Sequence, residues 1–198
     1  MQAFRGMLET LSPAVLKLHP GFDVSGRTGR NFSRINRDIR FAKDKTPYRT
    51  QMYLTFSDAA ATDGDDAQLY VGASAEAVTV GFRMYHGGRE ARMARVTVPR
   101  ALANAKWLAA QARRLGQKYE SYWYTSEKND WTKHNGWPVD AADWKRVKGW
   151  IVRKKLRPAG AARPGFLRDA GKILRELFPL YAFASLTGWT PRSSRPQG

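Results

Sequence analysis

Apolar and polar side chains alternate over residues 51–56: Met52, Leu54 and Phe56 fall to one side, Gln51, Tyr53 and Thr55 to the other. Successive side chains of a strand point to opposite faces, so this is the period of a half-buried strand. "QLYVGAS" and "AVTVGFRMY" read the same way and are joined by the short connection at 74–77. A connection that short cannot cross over a sheet, so the strands at 51–56, 68–73 and 77–84 are predicted to form an antiparallel meander. An acidic turn with Asp58, Asp63, Asp65 and Asp66 separates the first two, and "HGG" at 86–88 closes the run with turn chemistry.

The period changes on either side of these strands. Phe4, Met7, Leu8 and Leu11 recur at helical spacing, Ser12 and Pro13 are placed to cap and restart the helix, and "HPGF" at 19–22 ends it. Residues 23–30 read as a Gly- and Arg-rich loop. Pro99 stands as a first helical residue, Leu102, Ala105, Leu108, Ala112 and Leu115 make one face, and Gly116 fits a C-terminal cap. Residues 117–150 read as mixed short strands, loops and a short helix, and "WIVRKKLRPAG" as a strand or a helix end. Phe166, Leu167, Ala170, Ile173, Leu174, Leu177 and Phe178 line a helix that Pro179 stops. Helix, then strands, then helices is an α+β order. The expectation is one domain over 1–187, with the meander packed against helices 99–115 and 166–178, and a disordered tail at 188–198. No internal repeat shows, which excludes a solenoid.

Composition supports a packed domain. The chain has 198 residues, 42% hydrophobic, and contains seven Trp and no Cys. The absence of cysteine removes disulfides and thiolate chemistry together. Neither a signal peptide nor a membrane-length apolar run is read, so a soluble cytoplasmic protein without a membrane partner is expected. Charge changes the picture more. Lys and Arg number 34 against 17 acids, a net charge of +17. Such a field attracts anions, so an anionic small molecule or nucleic acid is the expected partner, unless the basic surface has no partner at all.

The charge concentrates in "RINRDIRFAKDKTPYR". Arg34, Arg37, Arg40, Lys43, Lys45 and Arg49 stand there against only Asp38 and Asp44. Guanidinium forks bind phosphate or carboxylate in bidentate fashion, and a cation surplus is what an anion site requires. Pro47 positions Tyr48 to stack or to donate a hydrogen bond. The ligand-binding candidates are therefore Arg34, Arg37, Arg40, Lys43, Lys45, Tyr48 and Arg49. Asp38, Asp44 and His86 are the weaker catalytic candidates, the carboxylates as bases beside cations that would stabilise developing negative charge. The competing account makes the same residues a structural clamp, with Arg–Asp pairs pinning a loop and Phe41 and Tyr48 plugging the core.

The pattern Arg34-x-x-Arg37-Asp38-x-Arg40-Phe41-x-x-Asp44-Lys45-x-Pro47-Tyr48 resembles the signature of a conserved hypothetical family, domain of unknown function 2461. The resemblance runs more loosely over residues 1–185 and implies an α+β fold and no activity. Members usually open with an Asn-x-x-x-Trp-Phe-like segment that is missing here, so a shortened N-terminus is expected. The Gly-rich stretch after the sheet is also altered, to "FRMYHGGREARMARV".

Other motifs carry less. His19, His86 and His134 have no metal spacing, so no metal and no cofactor is expected. The Asp58–Asp66 turn lacks the spacing of a calcium loop. Tyr119, Tyr122, Trp123, Tyr124, Trp131, Trp137, Trp144 and Trp150 are interleaved with Lys118, Lys128, Lys133, Lys145, Arg146 and Lys148. That is the composition of a single-strand nucleic-acid groove, but a core is the favoured reading because Trp is usually buried. Three functions therefore stand together: a module binding a phosphorylated or other anionic ligand, an enzyme on the same cluster, and non-specific nucleic-acid binding through the basic surface.

Overall fold

In the computed structural model of the protein, the described residues are 2–35, 48–60, 67–85, 96–125, 127, 130–134, 136–138 and 140–191. They form an α+β fold in which helices pack on one face of a six-stranded, all-antiparallel sheet. The chain runs α1 (Gln2–Leu18), β1 (Met52–Phe56), β2 (Gln68–Ala73) and β3 (Val78–Tyr85), then α2 (Val98–Ala103) and α3 (Ala105–Leu115). It continues through β4 (Glu120–Thr125), β5 (Asp130–His134), α4 (Ala141–Arg146), β6 (Val147–Leu156), α5 (Pro158–Ala162) and α6 (Phe166–Ser185).

The predicted meander is present, with Leu54 opposite Val71 and Val71 opposite Val80. Beyond it the strand order is β1-β2-β3-β6-β4-β5, so the late strand β6 enters between β3 and β4. Leu54, Phe56, Leu69, Val71, Val80, Phe82, Met84, Trp150 and Val152 point to one face and are essentially inaccessible. α6 lies across it, and α1 packs on α6 through Leu8, Leu11 and Val15.

Three helical expectations are corrected. α1 is continuous through Pro13 rather than capped and restarted at Ser12. The Ser12 hydroxyl bonds back to the Leu8 carbonyl at 2.6 Å, and exposed Pro13 stays on the outer side of the helix. The 99–115 helix breaks at Asn104, whose φ of −124° leaves the helical region, into α2 and α3. α6 does not stop at Pro179 but runs on to Ser185. An interior proline costs about 3 kcal/mol. Against that, Leu180, Tyr181 and Phe183 are each 0% exposed, and full burial of such side chains is worth about 1.5–3 kcal/mol apiece. The Tyr181 hydroxyl also receives the Asp58 N–H at 2.9 Å.

The Trp-rich stretch is largely core, as favoured: Trp123, Trp137, Trp144 and Trp150 are all buried, with Trp150 donating to the Ser121 hydroxyl at 3.1 Å. Near the end of the chain Trp189 packs edge-on against Trp107 and Phe183 and is buried.

Candidate anion site on the polar face of the sheet

Strand alternation that sends the apolar residues to α6 sends a different set to the other face. Register brings Tyr53 opposite Gly72, Tyr70 opposite Gly81, and Gly81 opposite Arg153. Arg83 faces Gln68 on one side and Ile151 on the other, and Glu120 faces Arg153. Arg83 and Arg153 are thus diagonal neighbours on adjacent strands, within reach of one ligand. Glycines on this face let aromatic rings approach the backbone. A Cβ on Gly72 would stand 2.8 Å from the Tyr53 ring, and one on Gly149 would stand 2.6 Å from the Trp131 ring. Each ring therefore lies down on bare backbone.

The two arginines sit in unlike surroundings. Arg83 is half-buried, with its guanidinium carbon 4.7 Å from the Tyr53 ring centre and 5.5 Å from that of Tyr70. Its Nε–H donates to Gln68 Oε1 at 2.9 Å. Among the described residues it makes no ion pair. Burial lowers its pKa, and the nearby Arg49 acts the same way, against the attraction of Tyr70 and Tyr53. Arg153 lies 4.2 Å over the Tyr122 ring, with Glu120 at 3.8 Å. Burial pulls its pKa down, but Tyr70, Tyr122 and Glu120 more than reverse this. Tyr70, 1% exposed, feels both cations, yet burial pushes its phenol up to about 12. Glu120 is divided between Arg153 and Lys133, the latter at 3.1 Å. The face thus presents one cation compensated by a shared carboxylate and a second whose described neighbours are neutral or cationic.

A cavity of about 190 Å³ opens at the β2–β3 hairpin end of this face, lined by Tyr53, Thr79, Arg153 and Lys155 among others. Pockets for drug-sized molecules run to about 300–1,000 Å³, so this one is smaller than those, and Glu76 lines it while Arg83 does not.

The cluster singled out from sequence is met only at its flanks. Arg34, Tyr48 and Arg49 are exposed, and the Arg49 N–H donates to the Ile35 carbonyl at 2.9 Å, closing the neck of the segment beside β1. Tyr48 is 61% exposed, which removes it as a core plug. Arg37, Asp38, Arg40, Phe41, Lys43, Asp44, Lys45 and His86 lie outside the described residues. The approach to the neck is rigidly built. Asn31, 1% exposed, donates to the carbonyls of Asp23 and Thr55 and accepts the Gly26 N–H. Buried Asp23 takes the Ser25 N–H and pairs with Arg27 and Arg30.

Arg83 and Arg153 were missed in the sequence. The available signal was an arginine two places after a glycine in "GFRMY", and another alternating with the core residues of "WIVRKK". Of the histidines, His19 bonds Asp58 at 2.7 Å and His134 stacks on Trp123. Among the described residues no group of three or more His, Asp or Glu could hold a metal, and no helix is long and apolar enough to cross a membrane.

An α+β protein with a basic, tyrosine-lined sheet face is the class that fold and site define. The profile of the family described as conserved hypothetical protein (DUF2461) matches residues 1–183, and the chain belongs to that family. No curated protein and no solved structure matches it.

Proposed function

We propose that the protein is a binding module for a phosphorylated or carboxylated small ligand, held on the polar face of the sheet with Arg83 and Arg153 as anchors. The observation that carries this reading is Arg83: half-buried, set against the edge-on pair of Tyr53 and Tyr70, and without a carboxylate partner among the described residues. Taking a cation out of water is costly, and an uncompensated one is retained where an anion completes it. The signature cations Arg37, Arg40, Lys43 and Lys45 enter the proposal as further charge, because the neck of their segment closes at Arg49 and Arg49 is electrostatically coupled to Arg83.

The test is a thermal titration with pyrophosphate and with citrate at constant ionic strength. A ligand at 100 times its Kd stabilises by about 2.7 kcal/mol. For a chain of this size that raises Tm by roughly 5–10 °C. Arg83→Gln should abolish most of the rise and leave the ligand-free Tm nearly unchanged. The reading fails if neither anion stabilises the parent, or if Arg83→Gln responds as the parent does.

A further inference from the structure

A second concavity, of about 720 Å³, lies where the end of α3 meets β4 and β5, and its volume falls in the range of small-molecule sites. Its lining includes Arg113, Lys118, Lys133, His134 and Trp137. His134 lies flat on buried Trp123, ring centres 3.6 Å apart and planes 5° from parallel. One face of the imidazole is therefore taken by an indole, while the residue as a whole is exposed, so the other face looks outward. The His134 Nδ1 accepts the Gly136 N–H at 3.1 Å. In the neutral ring that leaves the proton on Nε2, as a donor at the outer edge. Trp137, 6% exposed, has an indole N–H with no partner among the described residues.

Charge around the platform is of one sign in excess. Glu120 is the only acid lining the cavity among its described residues, and it is engaged by Lys133 and Arg153. Lys118 is paired with Glu176 at 3.4 Å, and Arg113 makes no ion pair among the described residues. A rigid, backed aromatic plane beside Arg113, the lining cation without an ion pair among the described residues, and the surface-paired Lys118 answers two halves of one kind of molecule. Bases stack on such planes, and phosphates pair with such cations.

We infer that this cavity is a nucleotide site, with the base stacked on the outer face of His134 and the phosphate drawn to Arg113 and Lys118. The ligand unit comes either as a free mononucleotide or as a residue of a single strand. The site is independent of Arg83, and its test is separable from that of the anion site.

The experiment compares AMP, ribose 5-phosphate and a fluorescein-labelled twelve-nucleotide oligo(dA), by calorimetry and anisotropy, on the parent, His134→Ala, His134→Phe and Arg83→Gln. AMP should bind at least about tenfold more tightly than ribose 5-phosphate, because only AMP can stack. His134→Ala should lose about that factor, and His134→Phe should restore it, which a loss of fold would not permit. Arg83→Gln should bind AMP as the parent does. Oligomer binding with the same dependence on His134 identifies the strand as the source, and AMP binding alone identifies the free nucleotide. The inference is overturned if neither binds, if ribose 5-phosphate equals AMP, or if His134→Ala retains parental affinity.

Discussion

Three glycine-to-alanine substitutions should separate by where the added methyl goes. At Gly81 a Cβ would stand 2.6 Å from the Val152 carbonyl oxygen and 2.8 Å from the Arg153 Cβ. Ordinary contact begins near 3.4 Å, so β3 and β6 must part by about 0.8 Å. That oxygen is backbone in the middle of the sheet and cannot rotate away. At Gly72 the nearest atoms, Tyr53 Cε1 and Thr79 Oγ1, are both at 2.8 Å but belong to side chains that can turn. Gly6 has nothing within 4 Å and lies inside α1. Overpacking costs about 1–3 kcal/mol, and we assign about 3 to Gly81→Ala and about 1 to Gly72→Ala. Gly6→Ala should stabilise by about 0.5–1 kcal/mol through helix propensity. At about 2–4 °C per kcal/mol, the Tm changes are roughly −6 to −12, −2 to −4 and +1 to +4 °C.

Denaturant unfolding, read with pyrophosphate titration, checks both the order and its functional corollary. Gly72→Ala displaces the ring that covers Arg83, so it should weaken anion-induced stabilisation more than its small stability cost suggests. Gly6→Ala should leave anion binding untouched. A Gly81→Ala protein as stable as Gly72→Ala would refute the reasoning, since the close approach of β6 to β3 would then be absent.

Asp23→Asn should cost about 1–2 kcal/mol at pH 7, because the carboxylate is hydrogen-bonded and ion-paired in a buried place. Burial raises the Asp23 pKa, but bonds from Ser25 and Arg27 outweigh it and hold the folded value below the ordinary 3.8. A depressed carboxylate contributes fully above its unfolded pKa and loses the contribution as pH falls through the folded one, so parent and variant should converge in acid titrations only below pH 3.8. Asn31→Ala should be worse, at least about 2 kcal/mol by urea melt, since three backbone groups lose their partner. Trp150→Phe should cost about 1–3 kcal/mol through a cavity among Phe82, Trp137 and Trp144 and a stranded Ser121 hydroxyl. Equal stability to the parent in either case would contradict the packing described.

The parts legible in the sequence were those whose cause is local. Alternation gave the β1–β3 meander because its hairpin partners are close in the chain. Gly165 starts α6 with φ of 87°, and the apolar stripe from Phe166 made that helix visible. Its length was not visible, because the burial that carries it past Pro179 comes from a sheet and a helix far away in sequence. The insertion of β6 between β3 and β4 has the same character: Phe82 pairs with Val152 across a separation no window of residues contains. The charge cluster at 34–49 was legible as composition, and its flanks are indeed exposed at the β1 edge. Arg83 and Arg153 were not, since each looks like a solvated strand residue until the register sets them on one face.

That register ties the candidate site to the core. In β6 the order Trp150, Ile151, Val152, Arg153 alternates core and polar face. A slip of one residue against β3 would carry Arg153 into the layer holding Phe82 and Met84 and bring Val152 out beside Tyr70. An unpaired guanidinium there is far costlier than a lost methylene contact, so the slipped state is excluded by the same residues that build the site. Trp150 adds a directional constraint, since its N–H reaches Ser121 only when β4 and β6 are in the observed pairing. The apolar face therefore does not merely support the polar one. By admitting a single register it sets where Arg153 stands relative to Tyr70, Tyr122 and Arg83, and substitutions that loosen the Trp150 cluster should degrade anion affinity even though no residue of that cluster lies on the polar face.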